Sequence, residues 1–270
     1  METRIAGAAL VLGVLLVTSS LSLGVRVDAS ALTRDAVHIG VPLYSDSVSD
    51  WSRVSGSPAT SMIFLNPSDG PGDSLQGNYL SLVRHAQARG VRVLGYVDTV
   101  WGNGTVSISE AEASVDKYYS WYGVDGIMFD EVNDTCAPAP VTYYTELYNF
   151  VKQKTGADIV VLNPGTFVGE CYARVSDVLI TFEDTYANYL TYQQPNWVLS
   201  YPPGHFLHIV FDTPTVANMT NAIKLAMSRN VNGVYITDLG ANGTNPYSSL
   251  PSYFGVEASV ILKLQHHSCK

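Results

Sequence analysis

Two apolar runs of this sequence end in carboxylic acids that could act on one substrate. Residues 124–129 are followed by Asp130 and Glu131, and residues 178–182 are followed by Glu183. Adjacent carboxylates repel each other, which raises the pKa of one and lets it carry a proton while the other is ionised. A protonated and an ionised carboxyl group are what hydrolysis of a glycosidic bond requires. We therefore predict Asp130, Glu131 and Glu183 as catalytic residues.

Further polar and aromatic residues lie at or just beyond the ends of other apolar runs. Amides and carboxylates can hydrogen-bond sugar hydroxyls, and aromatic rings can pack on sugar faces, so such a set around one cavity suits a carbohydrate. Asp and Asn also end strands and cap helices for structural reasons, the role that we expect for Asp98, Asp184 and Asp212. We expect nothing comparable at the amino ends of the runs. The predicted sugar contacts are Tyr44, Asn66, Tyr96, Trp101, Asn163 and Asp238.

Eight short runs rich in Val, Ile, Leu and aromatic residues would position these side chains. Eight strands that alternate with helices in about 240 mature residues are typical of a (β/α)8 TIM barrel, which usually has about 250 residues. An open, doubly wound sheet is the alternative, but no Gly-x-Gly-x-x-Gly turn follows the first run. The predicted fold is therefore α/β, with strands at residues 37–43, 61–65, 91–97, 124–129, 158–162, 178–182, 207–211 and 231–237.

Helical spacing of apolar residues is clear in four of the stretches between these runs. One of them opens with Ser109, and Glu112 lies three residues later in the register of a capping box. The connections after the fifth and sixth runs are less clearly helical. Helices are predicted at residues 75–89, 109–122, 141–155 and 214–229.

In such a barrel the active site lies at the carboxyl ends of the strands. Side chains alternate along a strand, so Asp130 shares a face with Met128, and we expect this face to look into the barrel. The fourth and sixth strands end roughly 9 to 10 Å apart, close enough for Asp130 and Glu183 to converge. A carboxyl separation of about 5 Å would suit a retaining glycosidase and one of about 6.5 to 9.5 Å an inverting one, and both remain open.

Residues 1–29 have the pattern of an export signal. A long apolar run follows a short charged start, and small residues near position 29 suit signal peptidase. The rival interpretation is an uncleaved membrane anchor, because the run can be extended to about 20 residues. We expect residues 30–270 to form a single secreted catalytic domain with no other membrane contact.

Three cysteines accompany this export signal, so an oxidising compartment is expected. We predict a bridge between Cys136 and Cys171, with Cys269 free. Three unrelated thiols are the alternative, because spacing alone does not define connectivity.

The net charge of −9 argues against nucleic acid as a partner. Motifs typical of zinc sites, nucleophilic serines and phosphate-binding loops are missing from the sequence, so no cofactor or metal is expected. A divalent cation held by Asp130, Glu131 and Glu183 is the remaining alternative, since hard cations take oxygen ligands. His205 and His208 are interpreted as structural residues.

Six short motifs in order, at the ends of successive predicted strands, resemble the spherulin-4 family. The resemblance covers about residues 37–259, nearly all of the mature chain. The motifs are Val41-Pro42-Leu43-Tyr44, Asn66-Pro67 with Gly70-Pro71-Gly72, Gly95-Tyr96-Val97, Gly126-Ile127-Met128-Phe129-Asp130-Glu131, Asn163-Pro164-Gly165 and Phe182-Glu183.

The resemblance implies a (β/α)8 barrel among secreted microbial glycoside hydrolases. Their characterised fungal relatives cleave an exopolysaccharide that contains α-1,4-linked N-acetylgalactosamine. The family's acidic pair corresponds to Asp130 and Glu131, and its third catalytic carboxylate corresponds to Glu183. Met128 replaces a commoner aromatic and Trp101 a commoner tyrosine, which bears on substrate detail more than on chemistry.

The leading hypothesis is a monomeric endo-glycosidase that binds a polysaccharide. Asp130 would be the nucleophile or stabilising carboxylate, Glu183 the general acid and base, and Glu131 a residue that tunes the pair. The alternative from another class is a polysaccharide-binding or spore-coat protein without catalysis. A metal-dependent hydrolase is a third hypothesis.

Overall fold

The strands pair in the order of the chain, and the last pairs with the first. The computed structural model describes residues 36–155, 158–240 and 245–268. In this part of the chain, eight parallel strands close into a barrel. The predicted (β/α)8 barrel is confirmed, and the open doubly wound sheet is wrong, because the first and last strands are hydrogen-bonded neighbours. The predicted export signal lies outside the described residues.

The strands match the predicted apolar runs to within a few residues, because nearly all of their side chains are buried between the barrel interior and the helices. They are β1 (His38–Leu43), β2 (Thr60–Leu65), β3 (Arg92–Asp98), β4 (Gly126–Asp130), β5 (Ile159–Leu162), β6 (Val178–Thr185), β7 (Phe206–Phe211) and β8 (Gly233–Ile236).

The four predicted helices are present, each with an apolar face against the barrel. The connection after β5 has only a 3-10 turn, and the one after β6 has a six-residue helix followed by 3-10 turns, as the weak periodicity indicated. The helices are α1 (Val48–Ser55), α2 (Gly77–Gln87), α3 (Ile108–Tyr122), α4 (Pro138–Lys152), α5 (Tyr186–Thr191), α6 (Val216–Ser228) and α7 (Phe254–Ser268).

The predicted capping box of α3 is displaced by two residues. Ser107 is the cap: its hydroxyl accepts from the Glu110 amide, and the Glu110 carboxylate accepts from the Ser107 amide at 2.8 Å. Both this pair and Ser109 with Glu112 fit the pattern, but only a start at Ser107 lets Ile108 begin the helix.

A glycine at the centre of β3 allows a close helix contact. A Cβ atom on Gly95 would lie 2.4 Å from the ring of Tyr118, a residue of α3. The hydroxyl of this buried tyrosine donates to the carbonyl of Leu65 at 3.1 Å. The Gly95-Tyr96-Val97 motif therefore brings α3 against the barrel while Tyr96 points toward the strand ends.

The predicted bridge between Cys136 and Cys171 is confirmed, with a Cα–Cα distance of 5.9 Å. It joins the loop before α4 to the 3-10 turn after β5. Cys269 lies outside the described residues. Within those residues, the structure contains no helix that combines the length and apolarity needed to cross a membrane.

Acidic residues also occupy the amino ends of the strands, so the expectation of nothing comparable there is wrong. Asp125 accepts from the Val93 amide at 2.9 Å, and Asp177 accepts from the Val160 amide at 2.8 Å. Each carboxylate thus satisfies an amide of the preceding strand at its first residues. These acids connect neighbouring strands.

His208 has the structural role that we predicted. It is fully buried between the hydroxyl groups of Thr181, at 3.0 Å, and Tyr189, at 2.8 Å. Burial lowers its pKa to about 3, so the ring is neutral at physiological pH. His205, whose pKa is also lowered by burial, stacks on Tyr201.

Candidate active site

The carboxyl ends of the strands surround a cavity of about 300 Å³. Asp130 and Glu183 both line it, so the predicted convergence of β4 and β6 is confirmed. Met128 lines the same cavity, which confirms that this face of β4 looks into the barrel. The predicted sugar contacts that also line it are Tyr44, Asn66, Tyr96 and Asn163.

One amide nitrogen connects the two carboxylates. The Asn163 Nδ2 atom donates to Asp130 Oδ1 at 2.7 Å and to Glu183 Oε2 at 2.6 Å. These two contacts hold the nearest carboxylate oxygens no more than about 5 Å apart, so both acids can reach one sugar ring.

The Asn163-Pro164-Gly165 motif explains why this amide points its nitrogen at the acids. The Gly165 amide donates to Asn163 Oδ1 at 3.0 Å, so the oxygen is already occupied and the nitrogen must face the carboxylates. Gly165 has φ +67°, a left-handed conformation that favours glycine. Its carbonyl accepts from the Glu183 amide at 3.0 Å, which ties the turn to β6.

A tyrosine contacts each carboxylate from the other side. The Tyr96 hydroxyl donates to Asp130, and the Tyr247 hydroxyl donates to Glu183 Oε1. Tyr44 lies between them, with its ring 5.6 Å from that of Tyr96 and 5.5 Å from that of Tyr247. Burial and the nearby carboxylates raise the pKa of all three phenols, so they remain neutral donors.

The environment of Asp130 favours its protonated form. Burial first, and then repulsion from the Glu183 carboxylate, raise the pKa of Asp130 to about 7. Hydrogen bonds from Tyr96 and Asn163 limit this rise, because they stabilise the ionised form. In the described residues, no Lys or Arg side chain lines the cavity to neutralise the pair. Burial and the neighbouring carboxylate thus make Asp130 a candidate proton donor, a role that we predicted for Glu183 from the sequence.

Glu131 does not join the pair, although it follows Asp130 directly. Its backbone has φ +49°, and its side chain leaves the cavity and contacts the carboxylate of Asp98. Burial, and then Asp98, raise the pKa of Glu131. Alternation along the strand and the left-handed turn together separate the two adjacent acids. The structure thus forms the two-carboxylate site from β4 and β6.

Trp101 lies on the rim outside the cavity, and its side chain is 51% exposed. Val100 and Trp101 both have left-handed backbones, with φ of 44° and 56°. The Trp101 amide donates to the Glu131 carbonyl at 2.6 Å, and the Thr99 hydroxyl donates to the Asp130 carbonyl at 2.7 Å. These bonds hold the strained segment against the end of β4, as is common near functional sites.

Asp238 also lies outside the cavity, because its side chain is used locally. Its carboxylate accepts from the amide and the hydroxyl of Ser252, just before α7. Asp98 and Asp184 likewise accept amides one or two residues further on, the structural role that we predicted for them.

Tyr247 and Asp69 line the cavity but were missed by sequence reasoning. Neither follows a strand directly: Asp69 is in the loop after β2, and Tyr247 is in the loop between β8 and α7. The usable signal was the length of that last loop, because long strand-to-helix loops build the sites of such barrels. Its Asn-Pro-Tyr sequence holds the ring in place through a bond from the Tyr44 amide to the Tyr247 carbonyl.

The alternative of a divalent cation held by Asp130, Glu131 and Glu183 does not fit this geometry, because Glu131 points away from the other two. Among residues 36–155, 158–240 and 245–268, no group of three His, Cys, Asp or Glu side chains is arranged to hold a metal ion.

Comparisons with known proteins agree with this architecture. The sequence matches the spherulation-specific family 4 over residues 38–261. It is 31% identical over 249 residues to spherulin-4 of Physarum polycephalum, covering 87% of this chain and 73% of that protein.

Solved structures share the fold. Sph3 of Aspergillus clavatus, crystallised in complex with GalNAc, is 23% identical with a TM-score of 0.72, covering 85% of this chain and 98% of that one. A chitinase from Bacteroides thetaiotaomicron is 8% identical with a TM-score of 0.58, covering 85% and 96%. The barrel is thus one that glycoside hydrolases use. The family match, which spans most of the sequence, and the identity to spherulin-4 show that this chain belongs to the spherulation-specific family 4.

Proposed function

We propose that this protein is an exported glycoside hydrolase that cleaves a polysaccharide containing N-acetylgalactosamine or galactosamine. The observation that carries the proposal is the pair of carboxylates, Asp130 and Glu183, joined by Asn163 at the mouth of the barrel. The GalNAc bound to the related Sph3 supports the choice of sugar. The predicted leader at residues 1–29 supports export.

Burial and the Glu183 carboxylate raise the pKa of Asp130, which supports a role for Asp130 as general acid toward the leaving oxygen. Glu183 is then the carboxylate that attacks the anomeric carbon. Asn163 holds both groups at the close spacing of a retaining reaction. After the first step Asp130 is ionised and takes a proton from the water that releases the sugar.

Tyr44, Tyr96 and Asn66 surround the pair and are proposed to contact the sugar bound there. The exposed Trp101 is proposed to pack on a sugar unit outside the cavity, because a flat aromatic face is available at the rim. Glu131 and Asp238 are proposed to support the rim rather than to contact the bond that is cleaved.

Leaving-group dependence tests both the activity and the roles. Asp130→Asn should lose hydrolysis of the polysaccharide but keep the first step on a dinitrophenyl glycoside, whose leaving group needs no proton, so that a burst of dinitrophenol is followed by slow turnover because the second step lacks its base. Glu183→Gln should lose both activities, because the nucleophile is needed in either case. The opposite pattern would exchange the two roles.

A panel of hexosamine polymers separates a hydrolase from a coat or binding protein. The hydrolase should release new reducing ends, and Glu183→Gln should bind the polymer without releasing them. Binding by the wild-type protein with no new ends from any polymer would contradict the proposal.

A further inference from the structure

Two further cavities lie beside the carboxylate pocket and join it in a row. The second, of about 320 Å³, lies between the loop after β2 and α3. The third, of about 590 Å³, lies between the start of α3 and the start of α4. Asp69 belongs to the walls of the pocket and the second cavity, and Val106 belongs to the walls of the second and third. The shared residues place the three cavities side by side along the rim.

The carboxylate pocket is too small for a polymer. Its volume of about 300 Å³ is at the lower limit for small-ligand sites, about 300 to 1,000 Å³. A polysaccharide whose cleaved bond lies between Asp130 and Glu183 must therefore continue outside this pocket. The row of cavities that begins at Asp69 gives the polysaccharide a path along the side of the barrel that is formed by β2, β3 and α4.

The far end of the row has the chemistry of an acetamido-binding surface. Val106, Ile108 and Ala139 give the third cavity apolar walls, and the bare backbones of Gly102 and Gly104 contribute peptide groups. Such a surface suits a methyl group attached to a planar amide. The wall also contains Tyr143, a buried residue whose hydroxyl has no hydrogen-bond partner among the described residues.

Trp101 lies in the segment between these cavities and stays exposed. Residues close to Trp101 in the sequence line both cavities: Asp98 lines the second, and Gly102 lines the third. An exposed tryptophan next to such a row of cavities is a typical surface for a sugar ring.

We propose that the polysaccharide leaves the carboxylate pocket past Asp69 and follows this row, and that the acetamido group of a distal hexosamine occupies the apolar cavity between α3 and α4. This inference rests on the proposed function and adds the direction of the chain across the rim. Binding of the distal hexosamine in this way makes the enzyme selective for long, N-acetylated chains.

A bulky residue in the apolar cavity tests the path. Ala139 is exposed, lines the cavity and is the second residue of α4, so Ala139→Trp should fill the cavity without disturbing the fold. Ala187, also exposed, holds the same position in α5 and lines none of the three cavities, so Ala187→Trp is the matched control.

The measurement is the ratio of kcat/KM for a long α-1,4-linked N-acetylgalactosamine oligomer to that for the shortest oligomer that the wild-type protein cleaves. We expect Ala139→Trp to lower this ratio about tenfold, a change of about 1.4 kcal/mol. Activity on the shortest oligomer and both activities of Ala187→Trp should remain near wild type. A wild-type ratio in Ala139→Trp would overturn the path.

Failure of the proposed function has a different signature. If the wild-type protein cleaves no oligomer, the same oligomers can be titrated by calorimetry. A preference for the long oligomer that is lost in Ala139→Trp and kept in Ala187→Trp would support the path without catalysis. If Ala139→Trp and Ala187→Trp bind the long oligomer equally well, the proposed path is overturned.

Discussion

Both ends of the barrel carry carboxylates, but the groups that balance their negative charge differ between the two ends. At the amino end, Asp177 accepts from a strand amide and lies 2.5 Å from the Lys152 ammonium group. Asp125 there also accepts from Gln87 and lies near Arg92. At the carboxyl end, Asp130 and Glu183 face each other across a single neutral amide.

The difference is one of electrostatic balance rather than residue type. A carboxylate that is paired with a cation and a backbone amide stabilises the fold through charge-assisted hydrogen bonds. Two carboxylates held close together without a cation share a proton, which costs stability but provides an acid and a base in one cavity. The acids at the two ends of the barrel therefore have different roles: strand pairing at one end and the proposed chemistry at the other.

Replacing one acid at each end of the barrel with its amide should separate the role in chemistry from the role in strand pairing most strongly. Glu183→Gln should lower kcat/KM by about 10³-fold or more, because a reacting carboxylate is lost. Asp177→Asn should leave kcat/KM within about twofold, since it lies at the opposite end of the barrel. Steady-state kinetics of both variants on one polymer measure this difference, and similar activity losses would remove the distinction between the ends.

The disulfide should stabilise the carboxyl end, where the connections are irregular. Replacing Cys136 and Cys171 together with serine frees a loop closed across 35 residues, which should cost about 2 to 4 kcal/mol. That corresponds to a fall in the thermal midpoint of roughly 5 to 10 °C. The thermal midpoint of the wild-type protein with and without reductant is the control, because reduction breaks the same bond without changing any residue. An unchanged midpoint would show that the packing of Tyr172 and Tyr144 alone holds this region.

The shared proton predicts how activity depends on pH. The general acid must be protonated, and the pKa of Asp130 is about 7, so kcat/KM should be maximal below this value and fall about tenfold per pH unit above it. In Asp130→Asn, the residual activity on the polymer should no longer show this fall with rising pH, because the titrating acid has been removed. An activity that rises through neutral pH would instead make Asp130 the ionised nucleophile.

Stability should respond in opposite directions at the two ends. The pKa of Asp130 is higher in the folded than in the unfolded protein, so the free energy of unfolding falls as pH rises from about 4 to about 7. Near pH 8, Asp130→Asn should therefore stabilise the protein by about 1 to 2 kcal/mol, and near pH 4 it should not. Asp177→Asn should destabilise it by about 1.5 to 3 kcal/mol at neutral pH, through lost charge-assisted bonds. Denaturant unfolding at the two pH values measures both, and destabilisation by Asp130→Asn near pH 8 would contradict the electrostatic argument.

The sequence predicted the elements that periodicity encodes and the residues that end strands. Asp130, Asn163 and Glu183 were found because a barrel brings the residues after its strands to one rim. Alternation along the strand already placed Glu131 on the face opposite to Asp130, but its left-handed turn toward Asp98 was not predictable, because a positive φ at a non-glycine residue leaves no mark in the residue type. The acids at the amino end were overlooked because their partners, such as the Val93 amide, are backbone groups of another strand.

Tyr247 provides the smallest and most specific test of the site. It comes from a loop rather than a strand, and its hydroxyl is the donor to Glu183 Oε1, while Asn163 serves the other oxygen. Tyr247→Phe should lower kcat/KM about fivefold, the value of about 1 kcal/mol for a hydrogen bond. The nucleophile would lose a donor that also orients it, so kcat rather than KM should carry the loss. Tyr253→Phe is a matched control, because that hydroxyl donates to the Thr213 carbonyl, away from the carboxylates. A loss confined to KM would mean that Tyr247 contacts the sugar. An equal loss in Tyr253→Phe would mean that the fall in activity does not come from the bond between Tyr247 and Glu183.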